Sequence, residues 1–548
     1  MEFLYRIFYK PSYAAVILVI TFFINLLLLA TPLYVIQVLN RYIGYGVAST
    51  LLTLTIGVLV AILFEVIFRI LRLWVGNRMV QPIDTANAIQ SFKNLSLSKF
   101  EYIERIPVGM RERLMQDADD IRRAYTSTNL SVMLDLPYVI LYLIIMVFLS
   151  FWLFVIALIG VIILLILSLI GFFVGRALLQ PLLETGSVRA GLKNTLINET
   201  LLIRVFNAAP FLQNLWNKCI IAFFSIQIKL ESRSQVIQFI TQMVTAIVTV
   251  FVISIGAILV TNGDITVGAM IGANILASRA LVPIARFNSI ISALVDASAA
   301  KKRLKKIETL PIELLKGNAL KNYTGRLAFK DLTYAFASDP SPMLETFNLE
   351  IEPGELVAVT GPYGSGKSTL LRIATGLLEP QRGQLLVDHV DLRQLVAMWW
   401  RKQICYVPQL VTFFDGSIKE NILINNPETS IARLGEIIRM CDLRSYIDKA
   451  PKGIEESITL AGRNLSYSVE RRIAMARALS SEGHFAILDQ PIEGLDPEGQ
   501  VAIRRIIHEL HAQRKTILIS TYDKEILEKA TCVIDLSTKP NPTVKRAR

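Results

Sequence analysis

At 548 residues the chain is too long for one ordinary domain, and 53 % apolar with only 19 % charged residues is more apolar than a soluble protein. Part of it therefore belongs in lipid. The formal charge of +12 does not indicate nucleic acid, because Lys and Arg crowd the segments between apolar runs, as the positive-inside rule expects, and no aromatic-interleaved basic stripe accompanies them. Cys219, Cys405, Cys441 and Cys532 show no C-x-x-C spacing, so they read as reduced, cytosolic-side thiols and not as a metal site or disulfide framework.

In chain order, Arg6 and Lys10 precede an apolar run, Tyr13 to Ile36, long enough to cross a bilayer and too long for a cleavable signal peptide. A polar turn over residues 40–49 leads to a second span at 51–74, followed by a long polar stretch to Asn129. Leu136 to Gly175 holds no charged residue. As one helix it would be roughly 60 Å long, about twice the ~30 Å hydrocarbon core, so it reads as two spans, 132–150 and 152–175, turning near Ser150-Phe-Trp152. A second polar stretch, Arg176 to Gln235, precedes spans at 236–260 and 265–291, joined by Thr261-Asn-Gly-Asp264. Six spans result, both long basic loops lie on the cytoplasmic side, and residues 1–308 form a membrane α-helical bundle. Glu65, Arg69, Arg279 and Arg286 fall inside apolar runs. Two readings stay open: a substrate path, or spans that outrun the inner leaflet with Glu65 and Arg69 pairing at i,i+4.

Residues 309–325 read as a linker. From 326 to 548 strand and helix patterns alternate, which indicates an α/β layered domain. Gly361-Pro-Tyr-Gly-Ser-Gly-Lys-Ser368 has the G-x-x-x-x-G-K-[ST] spacing of a phosphate loop, between an apolar strand candidate, Leu356 to Val359, and a helix candidate, Leu370 to Gly376. Backbone N–H groups from Gly361 through Gly364, Ser365, Gly366 and Thr369 face the phosphates. Lys367 reaches the terminal ones, and Ser368 ligates Mg²⁺. ATP with Mg²⁺ is the implied ligand.

At these residues the chain resembles the ABC transporter family, in the exporter arrangement of six spans followed by one P-loop ATPase domain. The resemblance implies an adenine-stacking aromatic at Phe336, a Mg²⁺-contacting Q-loop glutamine at Gln409, a metal-holding Walker B aspartate at Asp489, and a D-loop at Asp496. Three departures accompany it. The glutamate expected after Asp489 is Gln490, whose amide cannot accept a proton. The histidine expected at 522 is Tyr522. The signature motif reads Leu465-Ser-Tyr-Ser-Val469, which keeps Ser466 but places Tyr467 and Ser468 where glycines let a partner's γ-phosphate approach. Together these imply weak hydrolysis by this chain alone and a heterodimer with a complete second ABC half, a homodimer that uses ATP binding alone being the alternative.

Ile103 to Arg122 resembles the exporter's first cytoplasmic loop, with Gln116 to Arg122 expected to dock on an ATPase domain. Glu199 to Asn207 resembles the second, with Phe211 to Trp216 as its docking turn. Leu28 to Asn40 and Gly268 to Ala285 are similar to inner-membrane ATPases of type I protein secretion. That similarity implies unfolded polypeptide as substrate, a periplasmic adaptor and an outer-membrane duct, with the chain in the bacterial inner membrane and its ATPase domain in the cytoplasm. A regulatory pseudo-ATPase and a lipid or small-molecule exporter remain alternatives.

Overall fold

The computed structural model describes residues 2–44, 48–315, 317–321, 323–336 and 339–546. It divides into two compact units, Met1–Leu97 with Glu104–Leu310, and Ser98–Ile103 with Pro311–Arg548.

The first unit is helical. In order it comprises α1 (Glu2–Phe8), α2 (Pro11–Leu27), α3 (Ala30–Gln37), α4 (Ala48–Leu97), α5 (Phe100–Glu104, mostly in the other unit), α6 (Val108–Ala124), α7 (Ser127–Asp135), α8 (Val139–Leu149), α9 (Phe151–Asn198), α10 (Thr200–Val205), α11 (Ala209–Thr261) and α12 (Val267–Glu308). Six stretches are long and apolar enough to cross a membrane: Pro11–Ile43, Leu51–Leu97, Ser127–Leu149, Phe151–Asn198, Ala209–Thr261 and Val267–Glu308. The 40–49 turn begins as a π-helical turn, Val38–Ile43, and its residues 45–47 lie outside the described ones. The uncharged 136–175 run breaks at Ser150, whose extended backbone (φ −167°) ends α8 and starts α9. The helices do not stop where the apolar runs stop. At 1.5 Å per residue, the 50 residues of α4 extend about 75 Å, so the polar stretches continue the same helices.

The two segments singled out for their similarity to secretion ATPases pack on each other. Gly268 and Gly272 of α12 face Ile36 and Asn40 of the first span, so closely that a Cβ at Gly268 would stand 2.8 Å from Ile36 O. Small residues four apart allow such a helix contact where no hydrophobic drive operates between lipid-embedded helices. One polar network in this unit is fully traced. Arg72 Nη1 reaches Asp135 Oδ1 at 2.6 Å, Asn25 Nδ2 reaches the same carboxylate at 3.3 Å, and Tyr142 Oη donates to Asn25 Oδ1 at 2.9 Å. One network thus ties α2, α4, α7 and α8. Glu65 and Arg69 do pair at i,i+4, at 2.8 Å.

Gln116 to Arg122, expected to dock on an ATPase domain, lies instead within α6. There Asp117 accepts two bonds from Arg303 of α12, at 2.9 and 2.6 Å. An amphipathic pattern alone could not separate a docking helix from one packed inside the bundle. The segment that goes with the ATPase unit is 98–103. Ser98 bridges Ile312, Phe100 packs on that unit's core, and Lys99 pairs with Glu379 at 2.5 Å. Phe211 to Trp216 begin the long helix α11, and the short helix before it is α10, where Leu201 and Val205 are exposed.

The second unit holds a four-stranded antiparallel sheet, order β2-β1-β4-β5, a six-stranded sheet, order β12-β11-β3-β10-β9-β6, and a two-stranded pair, β7 (Gly416–Ser417) with β8 (Ser457–Ile458). The antiparallel sheet is built from β1 (Leu327–Phe336), β2 (Asp339–Ile351), β4 (Arg382–Val387) and β5 (Val390–Asp391). In the larger sheet, β3 (Leu356–Thr360), β6 (Ile404–Val407), β9 (Phe485–Asp489), β10 (Thr516–Ser520) and β11 (Cys532–Asp535) are parallel, and β12 (Thr543–Arg546) adds an antiparallel edge. Strands of a parallel sheet covered on both faces read as continuous apolar runs. In β3, Leu356 and Ala358 face one core while Val357 and Val359 face the other.

Removing one member of a buried ion pair strands the other, at a cost of about 3 to 5 kcal/mol. Asp135→Ala is expected to lower the thermal unfolding midpoint of the full chain in detergent, followed by intrinsic fluorescence. Arg72→Met in the same chain should restore most of the loss, whereas no rescue would show that the pair carries no coupling.

Candidate nucleotide site

In open parallel sheets, ligands bind beyond the carboxyl ends of the strands, and four adjacent strands end here in chemically distinct loops. β3 runs into the phosphate loop, β10 into Thr521-Tyr522, β9 into Asp489-Gln490 and β6 into Gln409. The register pairs Ser520 with both Val359 and Asp489, which puts position 522 between the phosphate loop and the Walker B aspartate.

The phosphate-loop helix, Lys367–Ala374, starts at a left-handed Gly366 (φ 105°). That is three residues before the helix expected from sequence, because the glycine turn ends sooner than the apolar periodicity reveals. Lys367 is 5 % exposed. Its Nζ donates to Gly361 O at 2.7 Å, Pro362 O at 3.0 Å and Tyr522 Oη at 2.6 Å, and it lies 4.6 Å from the Tyr522 ring centroid. All the hydrogen-bonding partners are neutral oxygens. Tyr522 Oη in turn donates to Gly361 O at 2.6 Å. Ser365 Oγ is shielded from solvent without a partner, and Thr369 is buried on the same helix. An uncompensated cation beside an orphaned hydroxyl is what an anionic phosphate satisfies.

Asp489 is buried and accepts from Ser520 Oγ at 2.6 Å. Ser368 Oγ lies 3.3 Å from Gln409 Oε1, and the amide nitrogen of Gln409 donates to Gln490 Oε1. Gln490 therefore keeps the Gln409 carbonyl turned toward Ser368. Hydroxyl, amide oxygen and carboxylate form an all-oxygen donor set, which suits Mg²⁺. Gln490 itself is buried in a left-handed conformation (φ 51°), its N–H bonded to Ser520 O at 3.1 Å.

Ser466 and Asp496 form a separate group, and among the described residues no hydrogen bond joins them to the phosphate loop. Ser466 caps the signature helix, Tyr467–Leu479, accepting from Val469 N, and Ser468 Oγ donates to Asp496 Oδ1 at 3.1 Å. Tyr467, expected to keep this chain's signature backbone from a partner's γ-phosphate, is folded onto its own domain. Its hydroxyl donates to Glu493 O at 3.1 Å and accepts from Arg471 at 2.9 and 3.1 Å. Gly494 makes room, since a Cβ there would stand 2.8 Å from the ring. Arg471 also donates to Pro408 O at 3.1 Å and Gln409 O at 2.7 Å. Phe336 ends β1 half-exposed, edge-on to Tyr334 at 5.4 Å. Sequence reasoning missed Arg471 and Glu493. Their signal was charge immediately beside two recognised motifs, visible only if those flanks are read as part of the site.

The family model described as ABC transporter transmembrane region matches residues 14–282, and that described as ABC transporter matches residues 344–493. The chain belongs to the ABC transporter family. This ABC transporter is similar to the toxin RTX-I translocation ATP-binding protein of Actinobacillus pleuropneumoniae, 26 % identical over 92 % of this chain and 71 % of the relative. It is also similar to the alpha-hemolysin translocation ATP-binding protein HlyB of Escherichia coli, 27 % identical over the same shares. A solved bacterial Atm1-family ABC exporter with ATP bound shares the fold, with a TM-score of 0.85 at 16 % identity, over 96 % of this chain and 94 % of that one. The chain is thus a multi-pass membrane protein carrying an ATP-binding ABC domain.

Two binding measurements test the site. Lys367→Ala is expected to abolish ATP binding by the full chain, and unaltered affinity would refute the assignment. Tyr522→Phe removes a hydrogen bond that competes with phosphate for Lys367. At about 1 kcal/mol for such a bond, ATP should bind roughly fivefold tighter, read by nucleotide titration.

Proposed function

We propose that this ABC transporter is the ATP-binding, membrane-embedded subunit of a protein or peptide exporter in the bacterial inner membrane, with its ATPase domain in the cytoplasm. The observation that carries this reading is similarity across 92 % of the chain to relatives named for toxin translocation. On the same analogy its partners are a periplasmic adaptor and an outer-membrane duct. Mg²⁺ is held with ATP by Ser368, Gln409 and Asp489.

The partner in the membrane is a second ABC half, and a heterodimer fits the residues best. In this family each ATP lies between the phosphate loop of one chain and the signature of the other. A homodimer would combine Gln490 and Tyr522 with the altered signature at both sites. With a complete partner, this chain's phosphate loop binds ATP and turns it over slowly, while the partner's own site works opposite Ser466. A regulatory role, with ATP acting as a clamp, is favoured by the same substitution of Gln490 for a proton-accepting carboxylate.

General-base assistance is typically worth 10²- to 10⁴-fold. ATP hydrolysis by the purified chain alone is therefore expected to be slow, and Gln490→Glu to raise it within about that range. A wild-type rate of about 1 to 10³ per second that is lost in Lys367→Ala would refute the slow-site assignment. Co-expression with a candidate second ABC half that carries complete motifs, followed by native mass measurement, tests the assembly. A 1:1 complex is expected, and a homodimer that exports substrate without a second ABC chain would overturn the heterodimer.

A further inference from the structure

We infer that Glu493 supplies the carboxylate that position 490 lacks, accepting the proton of the water that attacks the γ-phosphate of ATP on this chain's own phosphate loop. The inference rests on the nucleotide-site reading above and assigns a base to its slow turnover.

Glu493 lies three residues beyond Gln490, in the turn that leaves β9, and with Gln409, Gln490, Tyr467 and Arg471 it lines a cavity of about 250 Å³. Its Oε1 is shut off from solvent and, among the described residues, has no hydrogen-bond partner. An orphaned acceptor normally costs about 1 to 3 kcal/mol, so an unused carboxylate oxygen beside two active-site amides calls for a ligand. A water molecule meets the need, since it donates to that oxygen. Gln490 cannot do the work instead, for its Oε1 is already engaged by Gln409.

The backbone at Glu493 is fixed from the signature side. Its carbonyl receives the Tyr467 hydroxyl, and Arg471 ties that hydroxyl to the Q-loop carbonyls of Pro408 and Gln409. The substitutions at 467 and 490 thus meet at one residue. Burial pushes the Glu493 carboxyl above its ordinary range, opposed by the charges of Lys367 and Arg471, and a raised proton affinity is what a general base requires.

In the step itself, the water oxygen forms a bond to the γ-phosphorus while the bond from that phosphorus to the β,γ-bridging oxygen breaks. The electron pair leaves with ADP, and the water proton passes to Glu493 before its release to solvent.

The test uses the full chain in lipid, co-assembled with its ABC partner, whose own catalytic glutamate is changed to glutamine. Lys367→Ala must first remove both ATP binding and phosphate release. If it does not, the nucleotide-site reading fails, whatever Glu493 does. Given that control, Glu493→Gln is expected to keep ATP affinity within about twofold and to lower Lys367-dependent release by at least about tenfold. Gln490→Glu placed on top should restore release, showing that the variant is folded. A readout independent of turnover is labelling by a hydrophobic carbodiimide, which modifies protonated carboxyls. Glu493 should be modified in the free protein and protected by Mg-ATP, as scored by peptide mass. Release unchanged in Glu493→Gln, no Lys367-dependent release in wild type, or labelling indifferent to ATP would each overturn the inference.

Discussion

A buried ammonium group held only by neutral oxygens organises the ATPase half. Taking a charge out of water costs several kcal/mol unless it is paired, yet Lys367 has carbonyls, a phenol and an aromatic face around it and no carboxylate hydrogen-bonded to it. The parallel sheet makes this tolerable. It holds the loop after β3 rigidly enough for two backbone carbonyls to point at one nitrogen, and it brings β10 alongside so that Tyr522 closes the third side. What is stabilised is a pocket of unmet positive charge. Asp489, buried at the end of β9 and bonded to Ser520, gives the pocket its opposite pole.

The membrane unit obeys the complementary rule. In lipid no water satisfies a stray polar group, and one set of polar residues in its spans is satisfied internally. Asp135 receives Arg72 and Asn25, and Tyr142 completes the chain through Asn25. Paired polar groups hold helices together in one unit, whereas in the other Lys367 has no charged hydrogen-bond partner among the described residues. That contrast separates scaffold from site more clearly than composition does.

The architecture was legible because its signals are long or local. Runs of twenty apolar residues, and a glycine-lysine loop between a strand and a helix, need no tertiary information. The helix after the signature begins at Tyr467 because Ser466 caps it, and a cap depends on one side-chain angle. The docking segment was misread for a similar reason. Gln116 to Arg122 and Ser98 to Ile103 both mix apolar with polar residues in sequence, and only packing reveals that Asp117 is claimed by Arg303 while Phe100 lies on the ATPase core. The direction taken by Tyr467 was illegible in principle, because it is set by Arg471 and Gly494, which lie on two different elements.

The long helices carry a mechanical consequence. The 48 to 53 residues of α4, α9 and α11 make rods of about 75 Å, of which roughly 45 Å lies beyond a ~30 Å hydrocarbon core. Over such an arm, a tilt of about five degrees within the bilayer moves the far end by about 4 Å, the length of one residue of extended chain. The arms are not equally stiff. Pro82 interrupts α4 and Pro181 interrupts α9, each removing a backbone hydrogen bond, whereas α11 has its proline only at the first turn. A push on the far end of α11 thus meets a rod with no mid-length proline, whereas α4 and α9 each carry one point where a backbone hydrogen bond is missing.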